Sequence, residues 1–259
     1  MCGIFGVLKF DGKGVNLSWF QNAVNIIKHR GPDDEGYALF ETTSGIIEEC
    51  YGDTSQLKKG SHILSNEADN FDLALGFRRL SILDLSPNGH QPFTNDDKSI
   101  CLIFNGEIYN YIELRQELLA KGYKFRTGTD TEVILNSYLE WGTDCLSRFN
   151  GMWAIALYDV KKDLLFCSRD RFGVKPFYYF HNEKYFVFAS ELKSIIEYFR
   201  DDPTFTKKLN EDIVYDYLLN SFVDHTEKTF ISGINHLPPS HFITFENKKF
   251  NKGKYFTLE

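Results

Sequence analysis

No two cysteines in this 259-residue chain are separated by two residues, and none of the five sits at metal-ligand spacing from a histidine. Cys2, Cys50, Cys101, Cys145 and Cys167 are scattered and odd in number. That excludes a CxxC redox motif and a zinc ribbon, and no metal site is expected. Free thiols suit a reducing compartment, so the expected location is cytoplasmic. Long apolar runs are missing as well, none approaching the roughly 20 residues that span a bilayer. The apolar stretch behind Met1 is short and interrupted by Gly3 and Gly6, so a secretory leader is not expected. Positive charge is the scarcer sign. The 29 Lys and Arg face 36 Asp and Glu, for a net charge of −7. This argues against general binding to nucleic acid or to an anionic membrane. There is no internal repeat, low-complexity tract, glycine-rich phosphate loop or Ser/His/Asp arrangement.

What is present is strand-forming. Runs at 3–9, 72–79, 99–105, 152–159, 164–169, 177–180, 185–189 and 241–245 are short, aromatic or β-branched, and bounded by turn residues. Residues 159–163 read as a hairpin connection. Phe20, Ala23, Val24 and Ile27 keep helical spacing behind Ser18, a good N-cap. Asn110 and Glu113 resemble a capping box, with Gly122 ending that helix. Asp130 is placed to cap a helix over 131–141, and two more are expected at 191–199 and 211–222. Consecutive strands with helices between them predict an α+β layered fold rather than a parallel βαβ sheet. The 41–70 stretch lacks pattern and reads as a surface excursion, a hairpin with a mobile tip.

Cys2 carries the most chemical information. Aminopeptidase removal of Met1 would leave one residue bearing both a thiol, ordinarily of pKa about 8.5, and an α-amine of about 7.7–8.0. Such an amine can act as base for its own side-chain nucleophile. Alone, Cys2 reads equally as a small packing residue. Four segments stand out together: 2–6, where glycine beside Cys2 would let a substrate approach the backbone; 29–36, a turn from a helix into a strand; 78–82, at a strand end; and 104–110, a strand–turn–helix junction. Each has a bland account. Asn105-Gly106 is a common turn dipeptide, Arg79 an exposed strand-end charge, Asp130 a helix cap, and His29 and His90 loop or packing residues. Spacing alone does not bring the four together.

Cys2 at the mature N-terminus, HRGPDDEG at 29–36, RRLSILDLS at 78–86, NGEIYN at 105–110, TGTD at 127–130 and SRDRFGVKPFYY at 168–179 resemble the glutamine amidotransferase domain of asparagine synthetases. ASELKSI at 189–195 and HLPPSH at 236–241 extend the resemblance over nearly the whole chain, with Ser240 where a glycine is expected. The resemblance implies a class II amidotransferase of the N-terminal nucleophile hydrolase fold, a four-layer α/β/β/α sandwich of two antiparallel sheets. It implies one domain over 2–259 with 41–70 as a surface insertion.

The resemblance also implies roles. Cys2 is the nucleophile, with the Asn105 amide and the Gly106 N–H as the oxyanion hole. Arg79 is the reader of the glutamine α-carboxylate, and Asp130 and Glu107 are readers of its α-ammonium. Leu80 and Ile82 supply backbone contacts and the pocket wall. No cofactor is implied within this domain. Ammonia would pass to a C-terminal synthetase domain, using ATP and magnesium, that makes asparagine from aspartate. No SGGxD-like loop of such a domain is present, and truncation is favoured over a stand-alone glutaminase. Two other readings stand beside this one: the glutaminase half of an enzyme amidating a sugar acid in surface polysaccharide synthesis, and a non-catalytic glutamine-sensing module. A hydrolase for another amide is disfavoured by the pairing of Arg79 with Asp130. The oligomeric state, a homodimer included, stays open at this point.

Overall fold

The apolar run behind Cys2 forms a strand buried along its whole length, and the sheet that grows around it organises the molecule. The computed structural model describes residues 1–67 and 70–258. The elements begin with β1 Gly3–Lys9, α1 Leu17–Asn25, β2 Asp34–Glu41, β3 Ile46–Tyr51, β4 Ser61–His62, β5 Leu73–Arg79 and β6 Phe93–Thr94. They continue with β7 Ile100–Ile108, α2 Tyr111–Ala120, α3 Asp130–Trp141, α4 Cys145–Arg148, β8 Gly151–Asp159 and β9 Leu164–Arg169. The last are β10 Tyr178–His181, β11 Tyr185–Ala189, α5 Leu192–Tyr198, α6 Glu211–Asn220, β12 Ile234–His236, β13 His241–Glu246 and β14 Lys249–Lys254.

Among the described residues the strands make two sheets. One has eight strands in the order β12-β10-β11-β1-β5-β2-β3-β4, the other six in the order β14-β13-β9-β8-β7-β6. Their ladders are antiparallel apart from the short parallel pairing of β3 with β4. Side-chain alternation along a strand serves both faces of each sheet. On β1, Ile4 and Leu8 enter the core between the sheets, while Phe5 and Val7 pack outward with Phe20, Val24, Ile195 and Tyr198 of α1 and α5. On β7, Cys101 and Ile103 turn into the inter-sheet core, and Leu102 and Phe104 turn to Leu118, Val133 and Leu135 of α2 and α3. The result is the expected α+β sandwich in four layers, α/β/β/α.

Local chemistry departs from expectation at several ends. Asn16, not Ser18, caps α1: its backbone is extended and its side chain accepts from the Trp19 N–H at 3.0 Å. Asn110 precedes α2 but makes no capping bond. Its amide donates to the Arg148 carbonyl at 3.0 Å, and its side-chain oxygen accepts from the Asn150 N–H at 2.9 Å. β7 runs on to Ile108, so Asn105-Gly106 lies inside a strand, paired with Ala154 and Trp153 of β8, rather than in a turn. A Cβ at Gly106 would meet the Met152 carbonyl oxygen at 2.1 Å, so that ladder requires glycine. Much of 41–70 is sheet: β2 and β3 form a hairpin, with Phe40 opposite Ile47, and β4 extends its edge. Residues 68 and 69 of that stretch lie outside the described residues.

Candidate active site

Strand register sets the first half of the site. Gly3 pairs with Arg78, so one further step puts Cys2 level with Arg79 at the end of β5. The Leu80 N–H reaches Cys2 Sγ at 3.4 Å, and the thiol lies 3.6 Å from the Leu80 carbonyl. Arg30 fixes the Cys2 backbone from behind. Its Nε donates to the Cys2 carbonyl at 2.9 Å, and its Nη1 to Glu191 at 3.1 Å. Burial would raise the Glu191 carboxyl, but hydrogen bonds from Lys193, His29 and Arg30 hold it down to about 2. Gly3 does not open the backbone to a substrate, as the sequence suggested. Its missing Cβ faces Ile27 and Arg30, so the glycine serves packing against the α1 layer.

Burial pushes the Cys2 thiol up. The Leu80 backbone bond, the N-terminal amine, Arg79 and Lys175 oppose it. Cys2 is the one half-exposed thiol, while Cys50, Cys101, Cys145 and Cys167 are buried. Burial pushes Cys50 up to about 11 and Cys145 to about 12, and Cys101 and Cys167 higher still. Of the five thiols, Cys2 alone is accessible.

Cys2 opens on a cleft of about 460 Å³, mouth included, lined also by Arg79, Leu80, Ile82, Gly106, Glu107 and Asp130. Seven of the eight residues expected to act together therefore meet. Arg79 is nearly buried and aimed by backbone: its Nη1 donates to the Ser86 carbonyl at 2.8 Å and its Nη2 to that of Asp84. Gly89 lies flat against the guanidinium, where a Cβ would come within 2.0 Å of Nη2. Asp130 opens α3 but does not cap it. Thr129 does, accepting from the Glu132 N–H, which frees the Asp130 carboxylate to accept the Ile108 N–H at 3.0 Å. Burial pushes Asp130 up to about 6, against the Ile108 bond and with the Glu107 charge adding to the rise.

Asn105, the eighth residue, lies between the cleft-lining Phe104 and Gly106 but is not itself on the wall. It shares the inter-sheet face of β7 with Ile103, is 1% exposed, and neither amide atom has a partner among the described residues. Each such orphan costs about 1–3 kcal/mol. Gln91 has a role the sequence did not signal. It is buried, bonds the Phe104 N–H at 2.7 Å and the Thr131 hydroxyl at 3.2 Å, and joins both sides of the cleft. Arg30 stood within a quoted motif, but only its contact with Cys2 reveals its use. His29 pairs with Glu191 and His90 with Asp34, both off the cleft wall. Among the described residues no cluster of three or more His, Cys, Asp or Glu is placed to hold a metal, and no helix is long and apolar enough to cross a membrane.

Several known proteins are similar to this chain in sequence or in fold. The chain is 39% identical over 237 residues to a Methanocaldococcus jannaschii protein provisionally named asparagine synthetase [glutamine-hydrolyzing] 2, covering 86% of this chain and 40% of that one. It is 32% identical over 263 residues to asparagine synthetase [glutamine-hydrolyzing] 3 of Bacillus subtilis, covering 100% of this chain and 37% of that one. The chain thus spans about two fifths of the length of these relatives. Glutamine phosphoribosylpyrophosphate amidotransferase from B. subtilis shares the fold, with TM-score 0.67 and 17% identity over 99% of this chain and 50% of that one. The family model described as glutamine amidotransferase domain matches residues 58–256, which hold Arg79, Asn105, Gly106, Glu107 and Asp130. The chain belongs to the glutamine amidotransferase domain family.

Proposed function

We propose that this domain hydrolyses L-glutamine to L-glutamate and ammonia through a thioester on Cys2. The observation that carries the reading is a cleft that presents a thiol, a guanidinium and two carboxylates, with the unpartnered Asn105 amide between two of its lining residues. Met1 is 56% exposed and open to an aminopeptidase. Its removal frees the Cys2 amine, which takes the thiol proton. The thiolate attacks the glutamine side-chain carbonyl, and the negative oxygen that forms is met by Asn105 Nδ2 and the Gly106 N–H. One such donor is worth about 2.7–4 kcal/mol in the transition state. The amine returns its proton to the departing nitrogen, ammonia leaves, and water cleaves the γ-glutamyl thioester. Arg79 forks the α-carboxylate, and Glu107 with Asp130 holds the α-ammonium. Leu80 and Ile82 border the substrate.

We further propose that 2–259 is one glutaminase unit and that its ammonia serves asparagine synthesis from aspartate, the reaction class its longer relatives are named for. We assign ATP and magnesium to the synthetase domain that receives the ammonia, and no step in this domain runs through them. Unpaired thiols agree with a cytoplasmic setting.

The test joins intact mass, activity and labelling. The purified active protein should lack Met1, release glutamate from glutamine, and add one electrophilic glutamine analogue at Cys2. Adduct at another thiol, or near wild-type glutamate release from Cys2→Ala, would overturn the reading.

A further inference from the structure

Lys175 is largely buried, and its ammonium has no protein partner among the described residues. The residue is 6% exposed, and the hydrogen bonds it makes belong to its backbone. Its N–H donates to Asp170 Oδ2 at 2.9 Å, and its carbonyl accepts from Arg169 Nε at 2.8 Å. Among the described residues its ammonium enters neither a hydrogen bond nor an ion pair. A lysine with a buried stem and an unpartnered head is placed to answer a nearby negative charge.

Strand register places the Lys175 backbone relative to Cys2. Tyr178 on β10 and Phe5 on β1 both pair with Ala189 of β11. β10 and β1 therefore run in the same direction with one strand between them. Three residues back along each chain stand Lys175 and Cys2, at the same end of the sheet, on chains two strand spacings, about 10 Å, apart. Lys175 stands in the bend that leads into β10, at the same end of the sheet as Cys2. A lysine stem covers most of that gap. The turn is rigid: Asp170, fully buried, also accepts the N–H groups of Trp153, Phe172 and Val174 at 3.0–3.3 Å.

We propose that Lys175 is a positioning residue that supplies the counter-charge for the Cys2 thiolate, a role that rests on Cys2 being the nucleophile. The surrounding charges leave this task to it. From β5, Arg79 is engaged by two carbonyls and faces the substrate carboxylate. From the α1–β2 turn, Arg30 is neutralised by Glu191 at the head of α5. Glu107 from β7 and Asp130 from α3 oppose a thiolate. The N-terminal amine must be neutral to act as base. Burial pulls the Lys175 ammonium down while the Cys2 thiolate and Glu107 hold it up, and Lys175 in turn eases the thiol's ionisation.

The test is the pH profile of Cys2 alkylation by iodoacetamide in Met1-free protein, read by peptide mass without glutamine. Lys175→Met should move the midpoint up by about one pH unit, cutting the thiolate at neutral pH about tenfold. kcat for glutamine should fall by a similar factor, while KM changes less than about threefold. Lys175→Arg should restore most of the midpoint, and Lys175→Gln is read in the same way if the Met variant does not fold. A midpoint unmoved in folded Met and Gln variants would overturn the proposal. So would an equal shift in the Arg variant, which would mark packing rather than charge. The two readings fail separately: protein that shows the shift but releases no glutamate sinks the glutaminase and leaves the Lys–Cys pair. Full glutaminase activity without the shift sinks the pair alone.

Discussion

Asp130 is held in a charged state that folding disfavours and that the proposed binding of an ammonium would reward. Its carboxyl rises from an ordinary 3.8 to about 6 in the fold, chiefly through burial. Between those values the folded chain keeps a proton that the unfolded chain has released, so stability falls as pH rises through the window. By neutral pH the penalty approaches about 3 kcal/mol. Asp130→Asn keeps an acceptor for the Ile108 N–H and removes the charge. It should raise stability at pH 7 by about 1–3 kcal/mol, with the gain gone below about pH 4. Urea midpoints at the two pH values check this, and a loss at pH 7 would show that the charge itself supports the fold. The same variant should raise KM for glutamine at least about tenfold, because the ammonium loses a charged partner. In the wild type, kcat/KM should fall as pH drops through about 6, where Asp130 takes up its proton.

At the scale of elements, the segment after β5 is a cradle built for one side chain. The carbonyls of Asp84 and Ser86 orient Arg79, and Gly89 leaves room for its fork. Gly89→Ala would push only the free end of a flexible side chain, so the melting temperature should move by less than about 4 °C. The displaced fork should still raise KM for glutamine by about tenfold, with a weaker effect on glutamine analogues lacking the α-carboxylate. Equal losses on both would detach Arg79 from carboxylate recognition. Such detail was only partly legible in the sequence. Strands β1, β9 and β11 were read to their ends, because buried alternating runs leave one register open to them. Caps were misassigned where two polar residues stood near one helix start: Ser18 beside Asn16, Asp130 beside Thr129. Backbone geometry chooses between such neighbours, and composition does not show it. Asn105-Gly106 looked like a turn because turn preference is local, whereas β8 pulls the pair into a ladder. The 41–70 stretch looked patternless because β3 is an outer strand, mostly exposed or half-buried, and so lacks an apolar run.

At the scale of the molecule, each sheet carries half of the site. Cys2 and Arg79 end strands of the eight-stranded sheet, while Asn105, Gly106 and Glu107 lie on the six-stranded one, and Asp130 comes from the helix covering it. Cys2 and Leu80 touch across 78 residues of chain, a meeting that spacing along the sequence could not announce. Only a resemblance to known proteins put the segments together before the fold did. The inter-sheet core therefore sets the gap between Cys2 and the proposed oxyanion donors Asn105 and Gly106, and the outer cores do not. Ile103, fully buried between the sheets two residues before Asn105, and Leu118, fully buried under α2, make a matched pair. Each truncation to Ala should cost about 2–5 kcal/mol of stability. Only Ile103→Ala should also lower kcat well below its melting range, by about tenfold, since a misplacement near 1 Å costs that much or more. Leu118→Ala, assayed at the same folded fraction, should keep kcat within about twofold. Equal kcat losses in the two variants would show that layer spacing does not govern the chemistry.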